Sequence, residues 1–410
     1  GSLAAFAQTK PIYQDATRPM EERIEDALSR MTVEEKVRLL HANGGYRSWG
    51  VPRLGIPDNN PTDGPVGLRP EMEWSNWNNA HANNDSCTAF PSMICLAATW
   101  NPEMGVLFGK AYSEEALYRN KNIILGPGVN IFRTPMNGRN FEYMGEDPYL
   151  ASKMGVSYIQ GVQSNHVAAC VKHFAVNNQE INRYSINTLV DERTLHEIYL
   201  PAFKAAVQDG KVWTVMGAYN QYNGQHCCHN KYLLEDILRK EWGFDGVVLS
   251  DFGGTHNTEE AIFNGLDLEY GTHLGSAGAF DNYNLADPYL KLIREGKVGE
   301  KELNEKVRRV LRMMYRTNMS ADRPWGSLAS AEHIEAARRI AEEGIVLLQN
   351  KKNMLPLNPA NLKKILVVGE NAVRTTANGG GSSEVQAKYE VVPLEGIRNW
   401  AGRQTEIVYQ

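Results

Sequence analysis

The chain has 410 residues, of which 42% are hydrophobic, 22% charged and 9% aromatic, and its formal net charge is −5. At about 150 residues per domain, this length predicts two or three domains, or one barrel of about 250 residues or more followed by part of another domain. The composition excludes a largely disordered chain. The acidic balance and the lack of a long basic run argue against a nucleic-acid partner, and the apolar runs are too short to span a membrane.

The first residues predict an exported protein. Residues 3–7 followed by Gln8 resemble the end of a secretory signal, with the small residues Ala5 and Ala7 before the expected cleavage point. A disordered leader is the alternative interpretation of this segment. We therefore expect residues 1–18 to be a leader and the mature protein to be secreted or periplasmic.

The five cysteines are an odd number, so at least one of them is unpaired. Cys87 and Cys95 are close enough in the sequence to form a disulfide, whereas Cys170 lies in an apolar run and is expected to be a buried free thiol. Residues 226–229 read His-Cys-Cys-His. Four consecutive residues cannot surround one tetrahedral ion, so no metal site is expected there.

Hydrophobic spacing predicts an α/β chain. Residues 20–40 form a helix that restarts at Thr32, where Glu35 completes a capping box. The chain then alternates β-branched runs with amphipathic stretches to about residue 320, which favours a (β/α)8-type barrel over residues 19–320. The predicted strands are 122–125, 167–171, 212–216 and 246–249, and the predicted helices include 194–208, 231–242 and 301–315.

A second unit is expected after a loosely patterned linker. Residues 321–345 form the linker and a connecting helix, and that helix is predicted to run from about Ala331 to Leu348. The run 364–369 is typical of a buried strand, and 406–409 of another strand. Residues 346–410 are too few for an ordinary domain, so we expect them to be the first part of an α/β sandwich that is incomplete in this chain.

Polar residues follow three of the predicted strands directly. Lys172 and His173 follow the first, Tyr219 follows the second, and Ser250 with Asp251 follows the third. The carboxyl ends of barrel strands are where such folds assemble their sites. Any one of these residues could be a helix cap or a turn residue, but three in series favour a functional site.

These residues belong to motifs that resemble, in order, those of glycoside hydrolase family 3. The motifs are Asp63-Gly64-Pro65 with Arg69, Gly138-Arg139 to Asp147-Pro148, Lys172-His173-Phe174 to Glu180, Ala218-Tyr219-Asn220 to Gly224, Gly243-Phe244 to Ser250-Asp251, and the runs 343–348 and 355–357. The resemblance covers nearly the whole chain. It implies a retaining, exo-acting glycosidase that releases terminal β-linked glucose from oligosaccharides, with no cofactor and no metal.

The resemblance also implies the roles of the central residues. Asp251 would be the nucleophile that attacks the anomeric carbon and forms a covalent glycosyl-aspartate. Lys172 and His173 would donate to sugar hydroxyls and help to keep Asp251 ionised. Asp63 and Arg139 would hold the far side of the sugar ring.

Further positions of the resemblance line the pocket. Arg69, Met216 and Tyr219 match such positions, and Tyr219 is placed to bond to the nucleophile. Phe252 stands where many members of the family carry tryptophan, so an aromatic platform is kept and the indole N–H is lost. The Asp63 loop favours glucose, and a xylose or arabinose preference is the alternative within the family.

No residue of the chain matches the family's acid/base glutamate. The glycine-rich run 378–383 resembles the second-domain loop that reaches over the sugar, with Ser382 or Ser383 as a contact. Glu384 follows that loop but has no motif support, so we expect the proton donor to lie beyond Gln410. Two further hypotheses are a sugar-binding protein without catalysis and, from the glycine run alone, a nucleotide-binding loop, although the phosphate-binding spacings are missing.

Overall fold

The computed structural model describes residues 10–73, 78–83, 85–271 and 279–410. Residues 3–7, on which the prediction of a secretory signal depends, lie outside this part of the chain. Within these ranges, the longest apolar helices fall short of what is needed to cross a membrane.

Short strands form the centre of the first unit. In chain order the strands of the molecule are β1 (Ala42–Gly44), β2 (Arg47–Ser48), β3 (Pro61–Thr62), β4 (Ile123–Ile124), β5 (Ala168–Phe174), β6 (Asn187–Thr188), β7 (Thr214–Gly217), β8 (Gln221–Tyr222), β9 (Gln225–His226), β10 (Val247–Leu249), β11 (Lys364–Val367) and β12 (Glu406–Tyr409). Five of them form one parallel sheet in the order β10-β7-β5-β4-β3. Their side chains are buried on both faces, as a parallel sheet covered by helices requires.

Backbone bridges connect the two edges of this sheet. Leu268 pairs with Leu249, and Glu269 pairs with His41, in both cases in parallel. The antiparallel β1–β2 hairpin then bridges to Asn59, just before β3. The sheet therefore closes on itself, which confirms the predicted α/β barrel. The barrel is irregular at β2, because this strand is antiparallel to both of its neighbours.

Helices surround the barrel and continue through the connecting segment into the second unit, which contains the last of them. They are Met20–Arg30, Val33–Arg38, Met93–Ala98, Pro102–Tyr118, Pro148–Gln163, Glu192–Thr194, Pro201–Gln208, Thr258–Phe263, Asp287–Arg294, Glu300–Arg316, Ala331–Gly344 and Pro393–Ala401, with wider π-type turns at Leu195–Tyr199 and Tyr232–Glu241. The capping box of Thr32 and Glu35 is present as predicted. The predicted helix 194–208 is divided near Pro201, because proline has no N–H to donate to the preceding turn.

Two predictions about local structure are wrong. The connecting helix ends at Gly344, and Ile345 takes an extended conformation (φ −80°, ψ 122°), so the apolar run that follows is not helical. Cys87 and Cys95 are not paired, since all five cysteines are free. Cys87 instead donates from Sγ to the carbonyl oxygen of Leu68 at 3.5 Å. The predicted burial of Cys170 is confirmed.

The second unit contains a parallel pair of strands. Val367 of β11 is in register with Tyr409 of β12, and helix Pro393–Ala401 precedes β12 in the chain. A backbone bridge joins Ala387, which lies between β11 and β12, to Cys87 and fixes this part of the unit against the barrel. The limits that the sequence suggests for the two units, 19–320 and 346–410, stay predictions.

Candidate active site

A cavity of about 690 Å³ opens where the barrel strands end. It is lined by all nine residues that the sequence analysis singles out: Asp63, Arg69, Arg139, Lys172, His173, Met216, Tyr219, Asp251 and Phe252. The strand ends explain much of this convergence, because β3, β5, β7 and β10 run in parallel and bring their last residues and the residues that follow them to one edge; Lys172 and His173 belong to the end of β5 itself.

Asp251 follows β10 and is buried, with 5% of its surface exposed. Its Oδ1 accepts a hydrogen bond from the Phe252 N–H at 2.8 Å. Its Oδ2 has no hydrogen-bond partner among the described residues and lies 3.7 Å from Nε2 of His173. Burial raises the pKa of the Asp251 carboxyl, and the charge of Arg139 offsets only part of this rise. One oxygen is thus fixed in position while the other is available to a ligand.

Lys172 connects two carboxylates at the base of the cavity. Its Nζ lies 2.8 Å from Oδ1 of Asp63 and 2.9 Å from Oε1 of Glu142. Burial alone would lower the pKa of Lys172, but the charges of Asp63 and Glu142 outweigh it and raise that pKa. Lys172 therefore carries its positive charge in the folded protein, and its two partners lie directly after β3 and on the segment after β4.

Arg139 completes this cluster of charges. Its Nε donates to Oε2 of Glu142 at 2.7 Å and forms a buried salt bridge with that carboxylate. Burial would raise the pKa of Glu142, but Arg139 and Lys172 hold it below its usual range. Since buried charges are tolerated only when paired, this network fixes Arg139 at the cavity wall.

His173 is held by a chain of hydrogen bonds. Asn177 donates from Nδ2 to the Tyr143 hydroxyl at 3.1 Å, and that hydroxyl lies 3.0 Å from Nδ1 of His173. Burial and the charge of Arg139 lower the pKa of His173 well below its usual value, so the ring is neutral. The expectation that His173 helps to keep Asp251 ionised therefore needs correction: the ring carries no charge and offers the cavity only its Nε2 edge.

Aromatic residues form one side of the cavity. The Tyr219 hydroxyl donates to the Phe252 carbonyl oxygen at 3.1 Å, and its interaction with Asp251 lowers the pKa of that carboxyl. The Phe252 ring contacts the Tyr46 ring edge-on, with the ring centres 5.1 Å apart. Tyr219 thus interacts with the Asp251 carboxyl and also holds the backbone of the residue that follows it.

Residues 379–384 of the second unit close the cavity from above. Arg69 donates from Nε to the Gly381 carbonyl oxygen at 2.8 Å and lies 3.5 Å from Glu384. Glu384 also accepts from Nδ2 of Asn79 at 2.7 Å. The loop bends at Gly380 and Gly381, whose φ angles of 71° and 57° suit glycine. Arg69 therefore holds the second unit in place as well as lining the cavity.

Sequence reasoning did not assign a site role to four further cavity residues. Phe141, Glu180, Arg183 and Tyr184 line the same cavity. The guanidinium of Arg183 lies 4.6 Å from the centre of the Tyr219 ring, and the rings of Tyr184 and Tyr219 are also 4.6 Å apart. Phe141 and Glu180 stand in quoted motifs, whereas Arg183 and Tyr184 lie just beyond one on a loop without periodicity, so proximity to a motif was the one available signal.

The described ranges contain no cluster of three or more histidine, cysteine, aspartate or glutamate side chains arranged to hold a metal ion. The cavity instead contains alternating cations and carboxylates with aromatic rings on one side. Such a set can bind a neutral polyhydroxylated molecule through many hydrogen bonds, and it contains a carboxylate oxygen placed for attack.

Two family models match the chain. The "Glycosyl hydrolase family 3 N terminal domain" matches residues 80–313, and the "Glycosyl hydrolase family 3 C-terminal domain" matches residues 345–408. The first of these alone covers more than half of the chain.

Characterised relatives agree with this match. The chain is 53% identical over 409 residues to "Beta-glucosidase BoGH3A" of Bacteroides ovatus, covering 97% of this chain and 55% of that protein. It is 36% identical over 373 residues to "Exo-alpha-(1->6)-L-arabinopyranosidase" of Bifidobacterium longum, covering 89% of this chain and 48% of that protein. The structure of beta-glucosidase 3B from Thermotoga neapolitana in complex with alpha-D-glucose superposes with a TM-score of 0.83 at 35% identity, covering 95% of this chain and 55% of the other. The chain thus spans about half the length of the relatives that it matches.

Proposed function

Because this chain belongs to glycosyl hydrolase family 3, we propose that it carries the nucleophile of a retaining exo-β-glucosidase that releases terminal glucose from oligosaccharides. Its structural relatives include a β-glucosidase in complex with glucose, which supports this choice of sugar. The substrate is a glycoside, and the reaction needs no cofactor.

The free oxygen of Asp251 is the observation that carries this proposal. Oδ2 is buried, has no hydrogen-bond partner in the described part of the chain, and lines the cavity. Its attack on the anomeric carbon forms a glycosyl-aspartate ester while the bond to the leaving oxygen breaks, and water then hydrolyses the ester with net retention. The bond from the Phe252 N–H to Oδ1 fixes the carboxylate, so that attack does not require it to reorient.

The charged cluster at the base of the cavity would hold the terminal ring. Oδ1 of Asp63 is occupied by Lys172 and by the Gly64 N–H, whereas Oδ2 has only a long contact of 3.5 Å, to Tyr46, among the described residues. Oδ2 can therefore accept from a sugar hydroxyl. Lys172, which stays charged, and Arg139 can donate to other hydroxyls of the same ring. A cluster that binds a single sugar ring at the non-reducing end of the substrate favours removal of the terminal unit, which is exo action.

Within the described lining of the cavity, every carboxyl group other than Asp251 forms an ion pair with arginine or lysine, so none is assigned as the proton donor for the leaving group. Three carboxylates besides Asp63 and Asp251 line the cavity, namely Glu142, Glu180 and Glu384, and each of them forms an ion pair with arginine or lysine. The charges of Arg139 and Lys172 hold the pKa of Glu142 below its usual range, which opposes proton donation by this carboxyl. That the donor lies beyond Gln410 stays a prediction.

Because no proton donor is assigned, the experiment uses a substrate whose leaving group needs no protonation. A 2,4-dinitrophenyl glycoside needs no protonation of its leaving group, and a fluorine at the sugar C2 slows hydrolysis of the covalent intermediate. We therefore expect 2,4-dinitrophenyl 2-deoxy-2-fluoro-β-D-glucoside to release dinitrophenolate once per chain and to label the peptide that contains Asp251. Mass spectrometry of the digested protein checks both the label and its position. Because burial raises the pKa of Asp251, labelling should slow as the pH falls, and at a higher pH than for an ordinary aspartate.

Two results would contradict the proposal. Labelling of a different carboxylate would move the nucleophile away from Asp251. Glucose binding without any labelling or release of dinitrophenolate would support the alternative of a sugar-binding protein without catalysis.

The preference among sugars is tested with the same leaving group. We expect the dinitrophenyl β-D-glucoside to react faster than the β-D-xyloside and the α-L-arabinopyranoside. The arabinopyranoside belongs in the panel because one of the relatives is an arabinopyranosidase. A faster reaction with either pentoside would overturn the proposal of glucose and leave that of a retaining glycosidase intact.

We also propose that the protein is secreted or periplasmic. Residues 3–8 support this, since they resemble the end of a secretory signal. N-terminal sequencing of the protein recovered from the culture medium or the periplasm should give a chain that begins near Gln8. An unprocessed protein found only in the cytosol would contradict the proposal.

A further inference from the structure

A second cavity of about 380 Å³ lies at the same end of the barrel. Its wall includes Asn177 and Asn178, just after β5, Asn220, just after β7, and Arg133 on the loop after β4. Among the described residues, the two cavities have no lining residue in common. This volume is within the range of pockets that hold small ligands.

Two buried side chains in the wall of this cavity carry acceptor atoms without a hydrogen-bond partner among the described residues. Asn177 and Asn220 are each 1% exposed, and Oδ1 of each has no hydrogen-bond partner in the described part of the chain. Their Nδ2 groups are occupied: Asn177 donates to Tyr143, and Asn220 donates to the carbonyl oxygen of Ala175 and to Oγ1 of Thr188. A buried acceptor without a donor costs about 1–3 kcal/mol, so both oxygens favour a ligand that donates hydrogen bonds.

The charges around this cavity restrict the class of ligand. Carboxylate side chains are absent from its described lining, which includes the Arg133 guanidinium 5.6 Å from the centre of the Tyr199 ring. A cationic ligand is disfavoured because it would face Arg133 with no counter-charge. An anion is disfavoured because it would bring more acceptor atoms against the two amide oxygens. A neutral molecule that carries several hydroxyl groups satisfies both conditions.

Apolar side chains complete the wall. Val176, Ile186 and Val190 line the cavity beside the amides. A pyranose ring has C–H faces that suit such surfaces and hydroxyl edges that suit amides. We propose that this cavity is a second sugar site, which binds one neutral sugar unit such as glucose apart from the active-site cavity.

A hydrogen-bond path joins the second site to the active site. Asn177 accepts ligand through Oδ1 and donates through Nδ2 to Tyr143, which in turn bonds to His173. Hydrogen bonds in series polarise one another, so a change at Asn177 would also disturb His173. Variants that test the site should therefore leave Asn177 unaltered.

The experiment compares two exposed positions on the same loop. Leu189 lines the second cavity and is 74% exposed, whereas Ile181 lines neither cavity and is 76% exposed. Leu189→Trp should fill the cavity, and Ile181→Trp adds the same bulk elsewhere. Both side chains are largely in solvent, so both variants should fold. Arg133→Leu is a second variant, which removes the guanidinium without adding a large ring.

D-Glucose is the probe, titrated by calorimetry into protein whose Asp251 has been labelled with the fluoroglucoside, so that the active-site cavity is occupied. We expect labelled wild type and Ile181→Trp to bind D-glucose with the same affinity, and Leu189→Trp and Arg133→Leu to bind at least about tenfold more weakly. D-Glucuronate and D-glucosamine should both bind the wild type more weakly than D-glucose does.

Three outcomes would overturn the second site. They are no binding of D-glucose to labelled wild type, equal affinity in the cavity variants and in Ile181→Trp, and tighter binding of D-glucuronate than of D-glucose. If the fluoroglucoside fails to label Asp251, the proposed function fails on its own. The comparison of Leu189→Trp with Ile181→Trp on unlabelled protein then still decides this site, because both variants keep the same active-site cavity.

Discussion

The barrel and the second unit both contain parallel strands, but they differ in how these strands are covered. Every residue of β5 in the barrel is buried, whereas the residues of β11 alternate between exposed and half-buried. Leu366 of β11 is 55% exposed, although parallel sheets normally have both faces covered. The barrel can therefore fix its side chains within a packed interior, while the second unit depends on a few contacts with the barrel.

This difference predicts where the chemistry is most sensitive. Asp251, the cations and His173 all belong to the barrel, and the second unit contributes the loop 379–384. A loop held by hydrogen bonds from Arg69 and Asn79 is less constrained than residues at the ends of buried strands. Substitutions in the barrel should therefore have larger effects than substitutions in the second unit, for activity and for stability alike.

The largest expected effect is that of Asp251→Asn. The amide cannot form the glycosyl ester, so release of dinitrophenolate from the dinitrophenyl β-D-glucoside should fall by about 10⁴-fold or more. Initial rates measured by absorbance check this. Glu384→Gln is the matched carboxylate of the second unit, and with this leaving group it should reduce the rate by roughly tenfold at most. If Glu384→Gln were as severe as Asp251→Asn, the chemistry would be shared between the two units.

A smaller effect is expected where the connecting helix meets the barrel. Glu115 is fully buried and accepts from Oγ1 of Thr88, from the Ala329 N–H and from His333. In Glu115→Gln an amide N–H₂ replaces one acceptor among these donors, which should lower the free energy of unfolding by about 4 kcal/mol. Denaturant unfolding checks the loss. An unchanged midpoint would show that the two units are not joined through this contact.

The same contact should respond to pH. Burial alone would lower the pKa of His333, but its bonds to Glu115 and Glu114 outweigh burial and raise that pKa. Protonated His333 is then favoured in the folded state. The resulting stability is fully present below pH 6.5 and is lost as the pH rises through the folded pKa. Unfolding of wild type and His333→Gln at pH 6 and pH 9 should show a difference between the two proteins that is larger at pH 6.

A third expected effect comes from a buried carboxyl group in the barrel, which should change the free energy of unfolding by about 3 kcal/mol as the pH rises. Glu269 accepts from the Leu285 N–H and from Asn284, but no cation in the described part of the chain offsets its burial, which raises its pKa from 4.5 to about 7. Folding therefore favours the protonated form, and this contribution is lost as the pH rises from about 4.5 to 7, by about 3 kcal/mol. Glu269→Gln should flatten the dependence of unfolding free energy on pH between 5 and 8. An unchanged slope would contradict the raised pKa.

The sequence predicted those parts of the molecule in which a short pattern determines the structure. Buried β-branched runs located β5, β7 and β10, and the polar residues that follow them converge on one cavity, because parallel strands end at one edge. Whether each of these residues binds the substrate stays a prediction. The alternation of such runs with amphipathic stretches also predicted that these strands form a barrel.

Features that depend on distant partners were not predicted. The hydrogen-bond path from Asn177 through Tyr143 to His173 connects residues that lie about thirty positions apart in the sequence, and no local sequence pattern indicates it. Helices Pro102–Tyr118 and Pro148–Gln163 were missed because they are apolar on most sides, although the Asn-Pro and Asp-Pro caps that begin them were readable signals. The run 345–348 was assigned to a helix by its apolar character, yet β-branched Ile345 takes an extended conformation.

The smallest expected effect tests the coverage of the two sheets directly. Leu249 of β10 is fully buried and Leu366 of β11 is 55% exposed, although both are leucines on parallel strands. Leu249→Ala removes buried methyl groups and should lower the free energy of unfolding by about 3 kcal/mol, whereas Leu366→Ala should change it by about 0.5 kcal/mol or less. Denaturant unfolding of both variants measures the difference, and binding of a hydrophobic dye should decrease in Leu366→Ala alone, because that side chain faces solvent. A loss near 3 kcal/mol in Leu366→Ala would mean that β11 is covered in solution, and the contrast between the two units would then not hold.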